Sequence, residues 1–359
     1  MSRKIKLNLA EILKGKIAGR AQVAGIMEVI PLIPQDAAHH SPVFAVPTRH
    51  MFLAGNPSYG TVVVRNADSD RPLIVPTNAA WVTKHRAQDH AVAKAGLVGA
   101  GGTASYDNAA CVQASQPGAI PPDLHQFQIL PASLRRMDKD LAEQKDFRKF
   151  WPNITALNAE FGLGTAGGHL EKLFTGFAKE LLQFVAEFES LPGQVGALII
   201  INGKLVGVEI APSAEYWESV WEPLIRYSYG PEALLAARKL GPDGVKSSAA
   251  ARPRLPETAP RSIEGIEEAL RTLRRQEQQR TQEIVTKELD TSLIFEVDQD
   301  LTAVDPRTGQ TSYTLASCYE GFVGQVVVEE DYVLYASLVS STRPPKRSIR
   351  DAFRFLTGM

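Results

Sequence analysis

Residues 195–201 read VGALIII, residues 202–203 are Asn-Gly, and residues 204–210 read KLVGVEI. No other stretch constrains the chain as strongly. Two β-rich runs separated by Asn-Gly predict a tight hairpin, because both turn residues accept positive φ and the turn matches strand twist. A chain holding such a hairpin near its middle must bury it in a sheet. Further Val- and Ile-rich runs lie at 22–33, 43–46, 60–65 and 72–76, and again at 292–297, 312–318, 324–329 and 332–339. They predict strands drawn from both ends of the chain. Between 96 and 120 the chain is rich in Gly, Ala and Ser and reads as strand pieces joined by loops.

Helical periodicity occupies other segments. Asn8 and Glu11 have capping-box spacing ahead of a helix over 7–18. Charged residues over 132–161 suggest helix up to Phe150 and Trp151. Leu170, Leu173, Phe174, Phe177, Leu181, Phe184, Val185 and Phe188 form one stripe, predicting a buried helical face over 168–189. Ser213 can cap the next helix, Pro223 can distort it, and Gly230-Pro231 restarts a helix through Leu240. An exposed linker is expected over 244–262 and a charged helix over 262–288. Ile263, Ile266, Leu270 and Leu273 of that helix have seam spacing, interrupted by Glu277 and Arg280.

The fold expected is therefore α+β: a largely antiparallel sheet packed against amphipathic helices, with a charged helical insertion and a C-terminal tail. One domain is expected over 20–340, including linker and insertion at 244–290. An N-terminal helix within 1–19 precedes it, and a basic tail, 341–359, follows.

Composition narrows the function. Lys plus Arg is 39 and Asp plus Glu is 40, a net charge of −1, which argues against a dedicated nucleic-acid binder. No run reaches the ~18 apolar residues of a transmembrane helix. The N-terminus lacks the apolar core of a secretory signal. The two cysteines, Cys111 and Cys318, cannot build a disulfide framework and are expected as reduced, buried thiols. A cytoplasmic setting fits these features.

Several motifs imitate sites. Gly162, Gly164 and Gly167 match a dinucleotide fingerprint, but a helix end rather than a strand precedes them, so a helix–helix connection is expected. Asp298, Asp300 and Asp305 lack the Gly and terminal Glu of a calcium loop. No histidine pair has the i, i+4 spacing of a helical zinc site. No metal or cofactor is called for.

The densest polar cluster of the first half is KHRAQDHAVAK, residues 84–94. Lys84 and Arg86 could bind an anionic ligand, together with His85 and Gln88. His90 could act as donor or acid–base, with Asp89 orienting it. A solvated turn would need the same residues. Cys111, in NAACVQ, could serve as nucleophile only beside a base or a positive charge.

Four stretches resemble the ARPP domain family, named for its association with ADP-ribosylglycohydrolases and rhodanese-phosphatase proteins. They are GTVVVRNADSDRPLIVP (60–76), Gln88-Asp89-His90 followed by NAACVQ, the Phe150-Trp151 helix, and 193–229 around the hairpin. Strands near 324–339 resemble the family's closing strands. The resemblance implies an Arg where His90 stands, a Glu where Gln113 stands, and an Arg-Trp pair that this chain lacks after it. It implies a setting near ADP-ribose chemistry and no defined activity. The leading expectation is a cytoplasmic binding or accessory protein for an ADP-ribose-like or nucleotide-like ligand, or for a partner that handles one. A hydrolase using His90, Asp89 and Cys111 is the alternative. A third reading is an assembly protein that meets a protein partner, or a second copy of itself, through 262–288 and 343–359.

Overall fold

A computed structural model describes residues 3–36, 43–83, 89–115, 125–250, 262–289, 291–305 and 309–341. The chain opens with β1 (Lys4–Asn8), α1 (Leu9–Ile12), β2 (Lys16–Ala18), β3 (Gln22–Ala24) and β4 (Met27–Pro34). The capping box forms: the Glu11 amide donates to Asn8 Oδ1 at 2.8 Å and the Asn8 amide donates to Glu11 Oε2 at 2.7 Å. The helix expected over 7–18 nevertheless lasts one turn. Residues on either side of it are drawn into sheet pairing with β16 (Ser292–Asp305) and β4.

The segment Val43–Val46 is buried but is not a strand; it leads into α2 (Pro47–His50). Small strands follow: β5 (Met51–Ser58), β6 (Thr61–Asn66), β7 (Leu73–Val75), β8 (Ala79–Thr83), β9 (His90–Ala91), β10 (Gly96–Val98), β11 (Thr103–Tyr106), β12 (Ala110–Cys111) and β13 (His125–Ile129). They build three small sheets, ordered β10-β7, β11-β6-β5 and β12-β9-β8-β13.

The charged region forms three short helices, α3 (Ala132–Arg135), α4 (Lys139–Glu143) and α5 (Trp151–Glu160). The stripe expected as one helix is split into α6 (Leu170–Gly176) and α7 (Ala178–Glu187), with Phe177 at φ −122° and ψ 26°. Gly176 lowers helix propensity at the break, and both halves still bury stripe residues, Leu170, Leu173, Phe174 and Leu181.

The hairpin forms as expected between β14 (Gly196–Ile201) and β15 (Lys204–Ile210), with Asn202 at φ 51° and Gly203 at φ 73°. Ser213 Oγ accepts from the Tyr216 amide at 3.2 Å, starting α8 (Ala214–Glu222). Pro223 cannot donate a helical hydrogen bond, and the backbone continues as a π-helix over Pro223–Tyr229. Next comes α9 (Gly230–Ala250), broken at Gly241, where φ is 68°. The linker expected from 244 is thus helical up to Ala250, and its remainder, 251–261, lies outside the described residues.

The chain closes with α10 (Ile263–Leu289), β16, β17 (Gly309–Cys318), β18 (Phe322–Glu329) and β19 (Tyr332–Ser340). The large sheet runs β1-β16-β17-β18-β19-β15-β14-β4-β2, and β3 also pairs with β4. It is antiparallel throughout, and with the helices it makes an α+β fold. The closing strands join the central hairpin at the β15–β19 pair and the N-terminal strand at the β1–β16 pair.

The sheet has two buried faces. One encloses a cluster from β1, β4 and β14–β19, plugged by Leu9 and Ile12 of α1. The other carries Ile199, Tyr313, Leu315, Val327, Tyr335 and Val339 and packs against Trp217, Trp221, Ile225 and Tyr229. On α10, Ile263 and Ile266 are exposed and Leu273 is buried. Arg280, which interrupts the apolar seam, grips buried Glu28 of β4 through Nη1 at 2.5 Å and Nη2 at 2.9 Å. The basic tail from 342 onward lies outside the described residues. No described helix is long and apolar enough to cross a membrane.

Candidate functional site

Of the cluster at 84–94, Lys84, His85, Arg86 and Gln88 lie outside the described residues. Asp89 and His90 lead into β9, where His90 pairs with Trp81 on one side and Cys111 on the other. Directly paired residues share a sheet face, so the His90 ring and the Cys111 thiol are neighbours. The Val112 amide donates to the Asp89 carbonyl at 3.0 Å. The fold thus sets His90 opposite Cys111, with Asp89 the residue before His90.

It also seals them. Their exposures are 1%, 0% and 0%. Burial pushes the Cys111 thiol up, and the Asp89 carboxylate adds to that, while the Gln113 backbone and Trp151 act the other way. Its Sγ–H donates to the Gln113 carbonyl at 3.0 Å. A thiol that resists ionisation and meets no solvent is a poor nucleophile. Gln113 itself donates through Nε2 to Glu171 Oε2 at 2.9 Å, tying the strand end to α6. Cys318 is likewise buried and free, in β17.

The glycine motif connects two helices. Gly162 (φ 78°) and Gly167 (φ 54°) flank a short 3-10 turn between α5 and α6. Asn158 Nδ2 holds the loop by donating to the carbonyls of Gly167 and His169 at 2.8 and 3.0 Å. No strand precedes it, so the surroundings of a dinucleotide site are missing. Among the described residues no three His, Cys, Asp or Glu side chains cluster as a metal site would require. Asp298 and Asp300 are taken up within β16, by Lys94 and Arg3 respectively.

A second polar centre lies on the helix-facing side of the large sheet. Register sets Glu209 opposite Ser337, Ser337 opposite Gln325, Gln325 opposite Ser317, and Ser317 opposite Glu296. One transverse row of polar side chains therefore crosses five strands on a single face. At its middle, Arg135 of α3 inserts with 1% side-chain exposure beside Glu209 at 4%. Arg135 Nη2 donates to Glu209 Oε1 at 2.8 Å and to Ser337 Oγ at 2.7 Å, and Nη1 donates to Ser228 Oγ at 2.9 Å and to Tyr229 Oη at 3.5 Å. Tyr229 Oη donates to Glu209 Oε1 at 2.5 Å and Ser337 Oγ to Glu209 Oε2 at 2.8 Å. Burial opposes the Arg135 charge, but Glu209, with Tyr229 and Tyr335 adding to it, outweighs burial and keeps the guanidinium protonated.

Local backbone features serve this centre. The π-helix delivers consecutive residues, Ser228 and Tyr229, to the same guanidinium. Gly207 leaves room for the Tyr229 hydroxyl, which would stand 2.0 Å from any added Cβ.

The row continues into a cavity lined by Thr77, Asn78, Lys94, Arg135, Ser317, Tyr319 and Gln325, with Ala93, Met137, Ala142, Val323 and Gly324 supplying apolar wall. Two cations and no carboxylate are in that lining. Carboxylates adjoin it: Glu143 Oε1 stands 3.6 Å from Lys94 Nζ. A bulge between Val297 and Gln299 brings Asp298 to Lys94 Nζ at 3.0 Å and to Gln325 Nε2 at 3.0 Å, and Ser317 Oγ also donates to it. Burial works against the Lys94 charge, and Asp298 and Tyr319 together more than offset it, so the ammonium's pKa is raised. Gln325 Oε1 accepts from the Ala95 amide at 2.5 Å and from Thr77 Oγ1 at 3.3 Å.

Sequence reasoning reached Lys94 only as the edge of the 84–94 cluster and missed Arg135, Glu209, Ser317 and Gln325. One signal was available: Glu209 is an acid in a strand otherwise apolar after its first residue, and buried acids need partners.

No curated protein and no solved structure matches the chain. A family model does: the ARG and Rhodanese-Phosphatase-superfamily-associated Protein domain, ARPP-1, matches residues 18–338, nearly the whole length over which the sheet and both polar centres are built, and the chain belongs to that family.

Proposed function

We propose that the protein is a cytoplasmic binding or accessory protein that recognises an anionic, ADP-ribose-like or nucleotide-like ligand, or a partner that handles one. The cavity lining carries this reading: Lys94 and Arg135 face a common space that no acidic side chain lines. Anions are held where cations are fixed, partly dehydrated and pre-oriented. The family's association with ADP-ribose-processing enzymes supports the ligand class.

The alternative, a hydrolase acting on such a ligand through His90, Asp89 and Cys111, draws on the pairing of His90 with Cys111. Their burial weighs against it, because no substrate atom can reach the thiol or the ring without local opening.

Thermal denaturation with ADP-ribose, NAD and nucleotides tests the reading. A ligand at ~100 times its Kd should add about 2.7 kcal/mol of stability. The shift should persist in His90→Ala, allowing for that variant's lower baseline, and shrink in Lys94→Gln. Absence of any shift with all of these ligands sinks the proposal. Ligand turnover that is lost in Cys111→Ala would favour the hydrolase.

A further inference from the structure

Tyr59 and Gly60 form the turn between β5 and β6, and Tyr59 is 59% exposed. Phe147 and Trp151, at the entrance to α5, are half-buried. The three rings form a row. Tyr59 and Phe147 have centroids 5.0 Å apart at 46°, and Phe147 and Trp151 are 5.8 Å apart at 86°. A single exposed aromatic ring is ordinary, but a contiguous row marks a contact surface.

The loop that presents Phe147 is held from beneath. The Cys111 amide donates to the Phe147 carbonyl at 2.7 Å. Lys149 is 5% exposed, and its ammonium donates to the carbonyls of Asn108 and Gln144. Burying an ammonium is costly unless such bonds replace its water, and here they fix the path of the loop. The Gly60 turn lies against the same loop, since an added Cβ there would stand 3.4 Å from the Lys145 carbonyl and 3.5 Å from Phe147 Cβ. Tyr59 and Phe147 are therefore in place before any ligand arrives, which lowers the cost of binding.

The surroundings select the size of the occupant. Lys145 pairs with Asp107 and Arg148 with Asp146 beside the row, all four side chains at least 38% exposed. Cores of protein–protein interfaces are depleted of charged groups, because covering them removes their water. A thin planar ring can lie on the row and leave these charges solvated. Arg148 already stands over the Phe147 ring, 5.6 Å from its centroid, so Tyr59 offers the more open face. Every nucleobase has a π-face that stacks on such a ring.

We infer that the Tyr59–Phe147–Trp151 row is a stacking platform for the base of a nucleotide-like ligand, with Tyr59 as the ring on which the base lies. The inference rests on the reading above and adds to it a place for the base. The chain joins the two places: Ala142 lines the cavity, and Phe147 lies five positions further on. That stretch spans at most about 18 Å.

Proton NMR of adenosine, ribose and ADP-ribose titrated into the whole protein tests this. Stacking should move the adenine H2 and H8 signals of adenosine and ADP-ribose upfield, and ribose alone should not bind. Tyr59→Ala should weaken adenosine binding about tenfold, the loss of one stacked ring, and Tyr59→Phe should keep it. Tyr59 is exposed, so both variants should melt as the wild type does. Adenine signals unmoved by the folded wild type overturn the inference, as does adenosine binding unchanged in Tyr59→Ala. Ribose that binds as well as adenosine would make the row a sugar surface and overturns it too. So does a dimer in light scattering that Tyr59→Ala dissolves, since a second copy would then cover the row. If ADP-ribose raises the melting temperature without moving its adenine signals, the ligand reading stands and the platform falls. If adenosine stacks and ADP-ribose binds no more tightly, the platform stands and the anionic reading falls.

Discussion

The Cys111–His90 ladder and the Arg135–Lys94 cavity are both polar, both near the middle of the fold, and opposite in design. In the ladder, chemically capable side chains sit on adjacent short strands with no space beside them. In the cavity, ordinary ion-pair residues border an open space. Residue type alone would rank the ladder first, since it holds a thiol, an imidazole and a carboxylate. Access reverses that order.

The sharpest way to break this contrast is to remove the carboxylate behind the cavity. Glu209→Ala leaves the Arg135 charge buried without its partner, and should cost about 3–5 kcal/mol in urea denaturation. A loss below about 1 kcal/mol would mean that the pair is solvated and the centre is not as dry as described. Next is Gly207→Ala. Its Cβ would overlap the Tyr229 hydroxyl, so a loss of about 1–3 kcal/mol is expected as the hydroxyl is displaced from Glu209.

The ladder should respond differently. Cys111→Ala should cost about 1 kcal/mol, a small buried void, and leave any ADP-ribose or nucleotide shift in melting temperature as it was. Neither Cys111 nor Cys318 should react with a thiol reagent until the protein unfolds. Rapid labelling of Cys111 in the native state would reopen the hydrolase reading.

The smallest expected stability effect is that of Lys94→Gln, and pH sharpens it. The folded pKa of Lys94 is raised above its ordinary 10.5. Its charge therefore contributes stability that is fully present below that value and is lost as pH rises through the higher folded pKa. The stability difference between wild type and Lys94→Gln should be constant at neutral pH and shrink only in the strongly alkaline range. A difference that already changes near pH 7 would contradict the Asp298 contact as the cause.

Much of the fold was legible from local patterns. Asn202-Gly203 makes its turn, Asn8 and Ser213 cap their helices, and Pro223 disturbs the helix it lies in. These are short-range effects, decided by a residue and its near neighbours. Where expectation and structure part, pairing has overridden local preference. Residues 7–18 surrender most of a helix to strands β1 and β2, and the stripe at 168–189 breaks at Phe177 to follow its core. Arg280 shows the same thing on a smaller scale: a flaw in the apolar seam of α10, it is the residue that reaches Glu28.

The sequence by itself determined the α+β class, the central hairpin, the helix caps, the absence of a strand before the glycine motif and the membership suggested by 193–229. Each depends on residues close together in the chain or on a matched pattern. Only the tertiary structure decided which polar residues share a site. Arg135, Glu209, Ser317, Gln325, Ser337 and Lys94 lie as far as 243 positions apart in the numbering (337 − 94 = 243). Antiparallel register lines up Glu209, Ser337, Gln325 and Ser317, one residue per strand, while Arg135 reaches the row from α3 and Lys94 from the loop between β9 and β10. Register is a long-range property, set when strands from the two ends of the chain pair, and no window of sequence contains it.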